Sequence, residues 1–150
     1  MDFGAGWELL VILMLILLNG FFAAAEIAIL TARRGRLEQL ADDGDGAARV
    51  AINLAADSDQ FLPTVQVGIT VVSTLASVYG GARIEEQLAA WIGTSSWPWL
   101  AAHNHSLAIT IVVVGLAFCS LILGELVPKR FALQNAEPLA RIVAYPMLFV

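Results

Sequence analysis

Apolar and polar positions fall along this chain in long blocks rather than short periods. Residues 7–31 are apolar apart from Glu8, Asn19 and Glu26, a run long enough to cross roughly 30 Å of hydrocarbon as a helix. A second, uncharged block covers 61–82 and a third 107–126. Between the first two the chain turns polar, with Leu37, Leu40 and Ala41, then Val50, Leu54 and Ala55, recurring at helical spacing around Asp42-Asp43-Gly44-Asp45-Gly46. That pattern predicts two short amphipathic helices, about 33–43 and 46–58, lying on a membrane surface. Residues 83–106 form a polar connection with an amphipathic stub (Ile84, Leu88, Trp91) and the sequence Trp97-Pro98-Trp99. Beyond Gln134 and Asn135, residues 138–150 are apolar but interrupted by Arg141 and Pro146 and are too short to span. They read as a further juxtamembrane helix, with a truncated fourth span as the alternative. The predicted fold is an all-α integral membrane bundle of three spans with short juxtamembrane amphipathic helices.

Composition agrees with this class. The chain is 59% hydrophobic and 14% charged, with a mean hydropathy of +0.77, outside the range of ordinary soluble domains. A net charge of −5 and the lack of a basic stripe argue against nucleic acid as a partner. The single cysteine, Cys119, sits in an apolar run and carries no redox message.

Charge also sets an expected orientation. Seven of the eight lysines and arginines flank the ends near residues 33 and 129, with only Arg83 at the other ends. The positive-inside rule then places those ends in the cytoplasm and the N-terminus outside, in a multi-pass plasma (inner) membrane protein with a cytoplasmic C-terminus. Trp7, Trp91, Trp97 and Trp99 all fall on the opposite side, as an interfacial aromatic belt would.

Within this frame a few polar groups stand at membrane depth. Gly124-Glu125-Leu126-Val127-Pro128-Lys129 puts a carboxylate near the end of the third span, where charge is costly and usually marks a partner or an ion path. Pro128 lacks an N–H, so it is expected to kink or end the helix just past Glu125 and free nearby carbonyls. Carboxylate and carbonyl oxygens suit a hard cation. A snorkelling acid followed by a stop proline accounts for these residues equally well. Gln66, Thr70, Ser73 and Ser77 fall on one helical stripe. Small-residue packing competes with ligation there, more strongly for Ser77 than for the larger Gln66. Glu26, Gln66 and Glu125 all lie one to two turns from the arginine-rich boundary, which predicts a shared polar pocket at one depth, with Asn19, Phe22 and Ala23 on the face of Glu26.

Two other motifs carry less. The aspartate cluster fails as a calcium loop, because a twelve-residue count ends on Asn53 or Leu54 instead of glutamate, and reads as a solvated turn. His103 and His105, without an acid beside them in sequence, read as a polar turn and not a metal pair.

The segments Phe21-Phe22-Ala23-Ala24-Ala25-Glu26-Ile27-Ala28, Arg33 to Gly46, Gln66-Val67-Gly68-Ile69-Thr70 and Gly124-Glu125-Leu126-Val127-Pro128-Lys129 together resemble the transmembrane domain of the CorB/CorC and cyclin-M (CNNM) family. The resemblance covers nearly the whole chain. It implies a dimeric three-span bundle associated with magnesium export, followed in longer members by cytoplasmic CBS domains that bind nucleotide. This chain is then expected to belong to a longer protein. The family's ligand positions carry over at Gly124 and Glu125. Its hydroxyl position falls on Ala23 and its asparagine positions on Ile69 and Ser73, leaving Gln66, Thr70 and Glu26 as replacement oxygens.

The expected function is a cation exporter with Mg²⁺ as cargo and Gly124, Glu125, Ser73, Thr70, Gln66 and Glu26 as its site. Polyamine or sodium is the alternative cargo. A membrane anchor and dimerisation platform for a regulatory module is the alternative class, in which the polar stripe is only helix packing. No nucleophile with a base, phosphate loop or histidine with an acid is evident, so no enzyme is expected.

Overall fold

The computed structural model describes residues 3–94 and 96–150, with side chains from residue 6 onward. The described residues are helical throughout, with no strand. In chain order they form α1 (Phe3–Thr31), α2 (Arg34–Asp42), α3 (Gly46–Ala56), α4 (Ser58–Gly93), α5 (Pro98–Ala102), α6 (Asn104–Leu121), a π turn (Ile122–Leu126), α7 (Val127–Gln134) and α8 (Ala136–Met147). Three stretches are long and apolar enough to cross a membrane: Gly6–Thr31, Ser58–Gly93 and Asn104–Gln134.

The three spans pack as neighbours, with α1 against α4 and α4 against α6. The face of α4 turned inward repeats every three to four residues (Phe61, Val65, Ile69, Val72, Ala76, Gly80), the spacing of one helical stripe. The large apolar side chains left outside, among them Leu13, Leu17, Val71, Ile111 and Val113, form the surface expected to meet lipid. At 36 residues α4 measures about 54 Å, well beyond one hydrocarbon thickness. The amphipathic stub expected after residue 83 is therefore the continuation of this helix, and it carries Arg83, Glu85 and Glu86 past the apolar zone. Asn104 fastens it to α6 through a hydrogen bond from Nδ2 to the Ala89 carbonyl (3.3 Å).

The best-packed part of the molecule lies at the arginine-rich end. Ala23, Ala25, Ala28 and Ile29 of α1 meet Leu37, Ala48, Ala51, Val65, Ala132, Ala140 and Val143 in one cluster. Alanines dominate because small side chains let helix backbones approach closely. The 12-residue α8 packs on α1 and α3 and buries Ala136, Ala140, Val143, Ala144 and Met147.

The aspartate-rich turn is a helix-to-helix joint. α2 ends at Gly44, whose φ of 97° lets Asp45 N–H reach the Leu40 carbonyl and Gly44 N–H the Ala41 carbonyl. Asp45 Oδ1 then accepts from Ala47 and Ala48 N–H (2.9 and 3.2 Å), capping α3. Its other oxygen pairs with Arg141 of α8. The backbone bond from Ala48, opposed by desolvation and reinforced by Arg141, holds this carboxyl below the usual carboxylate range. Asp42 and Asp43 are exposed.

Candidate cation site

The third span does not end at Pro128. A proline in a regular helix leaves the carbonyl four residues back without a donor and crowds it. Here the π turn at Ile122–Leu126 absorbs the conflict: Val127 N–H donates five residues back, to Ile122, and the helix resumes as α7. The carbonyl that Pro128 cannot satisfy is that of Gly124. It accepts instead from Asn19 Nδ2 of α1 at 3.3 Å.

Asn19 and Gly124 fit each other closely. A Cβ on Gly124 would stand 2.9 Å from Asn19 Nδ2, so any other residue there would require the amide to move. Asn19 is 2% exposed, the one polar residue among the fully buried side chains described. Its Oδ1 has no hydrogen-bond partner among the described residues. Glu125, next along the π turn, is half-buried and makes no hydrogen bond or ion pair among the described residues. A carboxylate, an amide oxygen without a donor and the loosened backbone of a π turn therefore occupy one level of the bundle, every donor atom an oxygen. That is hard-cation chemistry.

Glu26 occupies a different level. α1 and α6 run parallel, with Asn19 beside Gly124 and Gly20 against the Pro128 ring. α4 runs antiparallel to them, with Gly68 beside Phe22 and Gly80 beside Ile12. This register sets Ser73 at about the depth of Asn19, and Gln66 at about the depth of Glu26, two helical turns or about 10 Å nearer the arginine-rich end. The single shared level expected from sequence is thus two tiers. In the second tier Glu26 Oε2 lies 3.3 Å from Lys129 Nζ, with the two side chains 18% and 33% exposed.

The stripe on α4 looks elsewhere. Gln66 and Thr70 are exposed, off the face that α4 turns toward α1. Each hydroxyl is satisfied within its own helix: Thr70 Oγ1 donates to the Gln66 carbonyl (2.8 Å), Ser73 Oγ to Thr70 (3.0 Å) and Ser77 Oγ to Ser73 (3.0 Å). Ser73 and Ser77 line an open groove of about 360 Å³ with Thr74, Val78, Ala117 and Ser120. The structure packs Asn19 on Gly124, the neighbour of Glu125, and pairs Glu26 with Lys129. Within one chain it leaves Gln66 and Thr70 outside. Ala23 and Ile69, where the resembled family carries ligands, are buried in the apolar core.

Asn19 is a candidate that sequence reasoning left out of the ligand set, although it shares a face with Glu26. Its signal was a lone amide in an uninterrupted apolar run. His105 also gains a partner invisible in sequence: the α4–α6 hairpin brings Glu85 Oε1 within 2.8 Å of its Nδ1. Even so, no three potential His, Cys, Asp or Glu ligands cluster among the described residues.

Comparison with known proteins gives this geometry a family. Residues 10–150 match the family described as the cyclin M transmembrane N-terminal domain. The UPF0053 protein sll0260 of Synechocystis is 43% identical over 143 residues, covering 95% of this chain and 32% of that protein. UPF0053 protein YhdT of Bacillus subtilis is 34% identical, covering 93% and 30% respectively. The polyamine export protein of Escherichia coli is 27% identical over 142 residues, covering 95% and 31%. The chain spans about a third of the length of these relatives. With three membrane-length helices among the described residues and a match along nearly its whole length, the chain belongs to the cyclin M transmembrane domain family.

Proposed function

We propose that this domain exports a hard cation, magnesium foremost, through a site centred on Glu125 that opens toward the arginine-rich, cytoplasmic side. The observation that carries this is the half-buried Glu125 on a π turn, without an ion pair among the described residues, one residue from the Gly124 that packs on Asn19, whose Oδ1 has no donor among those residues. Mg²⁺ takes oxygen ligands in a tight octahedron and keeps part of its water, so one carboxylate, an amide oxygen and backbone oxygens suffice when water completes the shell. The orientation rests on the arginine and lysine bias and on the tryptophans at the other end. On this account the domain works as a homodimer in the plasma membrane, since three helices make a thin wall around a polar site.

A second reading keeps the site and changes the cargo. Ala23 and Ile69, where the resembled family has ligands, are packed in the apolar core and offer no side-chain oxygen to a metal ion. The E. coli relative bears the name of a polyamine exporter.

The test is equilibrium Mg²⁺ binding to the purified full-length protein, wild type against Glu125→Gln. The substitution keeps shape and hydrogen bonding and removes the charge. Affinity is expected to fall by about a hundredfold, because one close charge is worth several kcal/mol to a divalent ion at an effective dielectric of about 20. Unchanged Mg²⁺ affinity in Glu125→Gln refutes the site, and spermidine binding in place of Mg²⁺ by the wild type moves the cargo to the second reading.

A further inference from the structure

Two half-buried acids stand toward the arginine-rich end of the bundle, and of the two only Glu125 is without an ion pair among the described residues. Glu26 Oε2 is enclosed, makes no hydrogen bond among the described residues and lies within ion-pair distance, 3.3 Å, of the Lys129 ammonium, while Glu125 has no cation beside it among those residues. This division is not what the sequence spacing favours. Lys129 stands four residues after Glu125, where a lysine ordinarily pairs with a preceding glutamate along one helix. The π turn between them widens the helix and offsets the two side chains, and Lys129 reaches across to α1 instead.

We propose that Lys129 is a tethered counter-cation that neutralises Glu26 in the tier next to the Glu125 site, so that the cargo meets the field of one free carboxylate and not two. The inference rests on the Glu125 cation site proposed above and adds what sets its strength. With Lys129 in place the three groups carry one net negative charge, and without it they would carry two. A divalent ion near two uncompensated carboxylates at low dielectric binds tightly and leaves slowly, which suits a storage site and hinders transport. Lysine is suited to such a part: its ammonium is a compact charge on a flexible stem, able to shift between neighbouring carboxylates where an arginine fork would be held by its geometry.

The experiment is Mg²⁺ affinity of the full-length protein in four variants, with thermal stability measured alongside. Lys129→Gln is expected to tighten binding by about tenfold or more through the released Glu26 charge, an effect opposite to that of structural damage. Lys129→Arg should bind like the wild type. Glu26→Gln alone frees Lys129 to turn toward Glu125 and should weaken binding. The Glu26→Gln/Lys129→Gln pair should return to wild-type affinity. If Lys129→Gln binds with unchanged or lower affinity while still folded, the counter-cation proposal falls. Should Lys129→Gln not fold, the double variant decides: affinity that stays weak there makes Glu26 a direct ligand and overturns the proposal. Glu125→Gln separates the two levels of inference. Binding that survives it removes the cation site itself, whereas binding lost in Glu125→Gln but not tightened in Lys129→Gln removes only the counter-cation.

Discussion

At the scale of single residues, the contact between Asn19 and Gly124 joins sequence chemistry to helix geometry. Each half depends on the other: Pro128 strands the Gly124 carbonyl, Asn19 supplies the donor, and the missing Cβ makes room for it. Gly124→Ala therefore drives a methyl into the amide and should destabilise the protein by about 1–3 kcal/mol, the usual cost of overpacking. Asn19→Ala leaves a buried carbonyl without a donor at a similar cost of about 1–3 kcal/mol. Melting of the purified protein in detergent checks both, and a Gly124→Ala variant as stable as the wild type would mean that the two helices do not meet this closely. Glu125 and Pro128 stood out in the sequence as candidates, because a charge and a helix breaker at membrane depth are costly and conspicuous. Asn19 was not legible as a ligand candidate, since nothing in a linear run says which buried amide faces a stranded carbonyl 105 residues away. The partner of Lys129 was hidden for the same reason, as local spacing favours Glu125.

At the scale of elements, the joint between α2 and α3 shows how a motif that looks like a ligand loop can be spent on folding. Asp45 caps α3 with one oxygen and holds α8 through Arg141 with the other. Because its folded-state pKa is lowered, its contribution to stability is present above the unfolded carboxylate value and is lost as pH falls from about 4 through the lowered value. Asp45→Asn retains the capping oxygen and loses the ion pair; Asp45→Ala loses both. The alanine variant should melt at a lower temperature than the asparagine variant, and both should show a weaker loss of stability between pH 5 and pH 3 than the wild type. Equal acid sensitivity in all three would assign the effect to other carboxylates. Span existence and the amphipathic character of α2, α3 and α8 were readable from block hydropathy and helical spacing. The continuity of α4 to Gly93 was not, because Arg83, Glu85 and Glu86 end the apolar block without ending the helix. Nor was the π turn, which is a compromise between Pro128 and the packing of α7 on α1 that only the assembled bundle imposes.

At the scale of the whole molecule, three spans, a lysine and arginine bias at one end and tryptophans at the other give an orientation that can be checked directly. In a Cys119→Ala background, cysteines placed at Ser58 and Asn135 should resist an impermeant thiol reagent added outside intact cells, and one at Ser96 should react. Labelling at Ser58 from outside would invert the topology and point the Glu125 site to the wrong compartment. The central claim concerns what passes through that site, and one measurement bears on it most directly. The full-length protein is reconstituted in liposomes, and Mg²⁺ flux is followed for the wild type and Glu125→Gln, with sodium and spermidine as competing cargoes. The account predicts Mg²⁺ flux in the wild type and its near-complete loss in Glu125→Gln at equal protein incorporation; equal flux from both would contradict it.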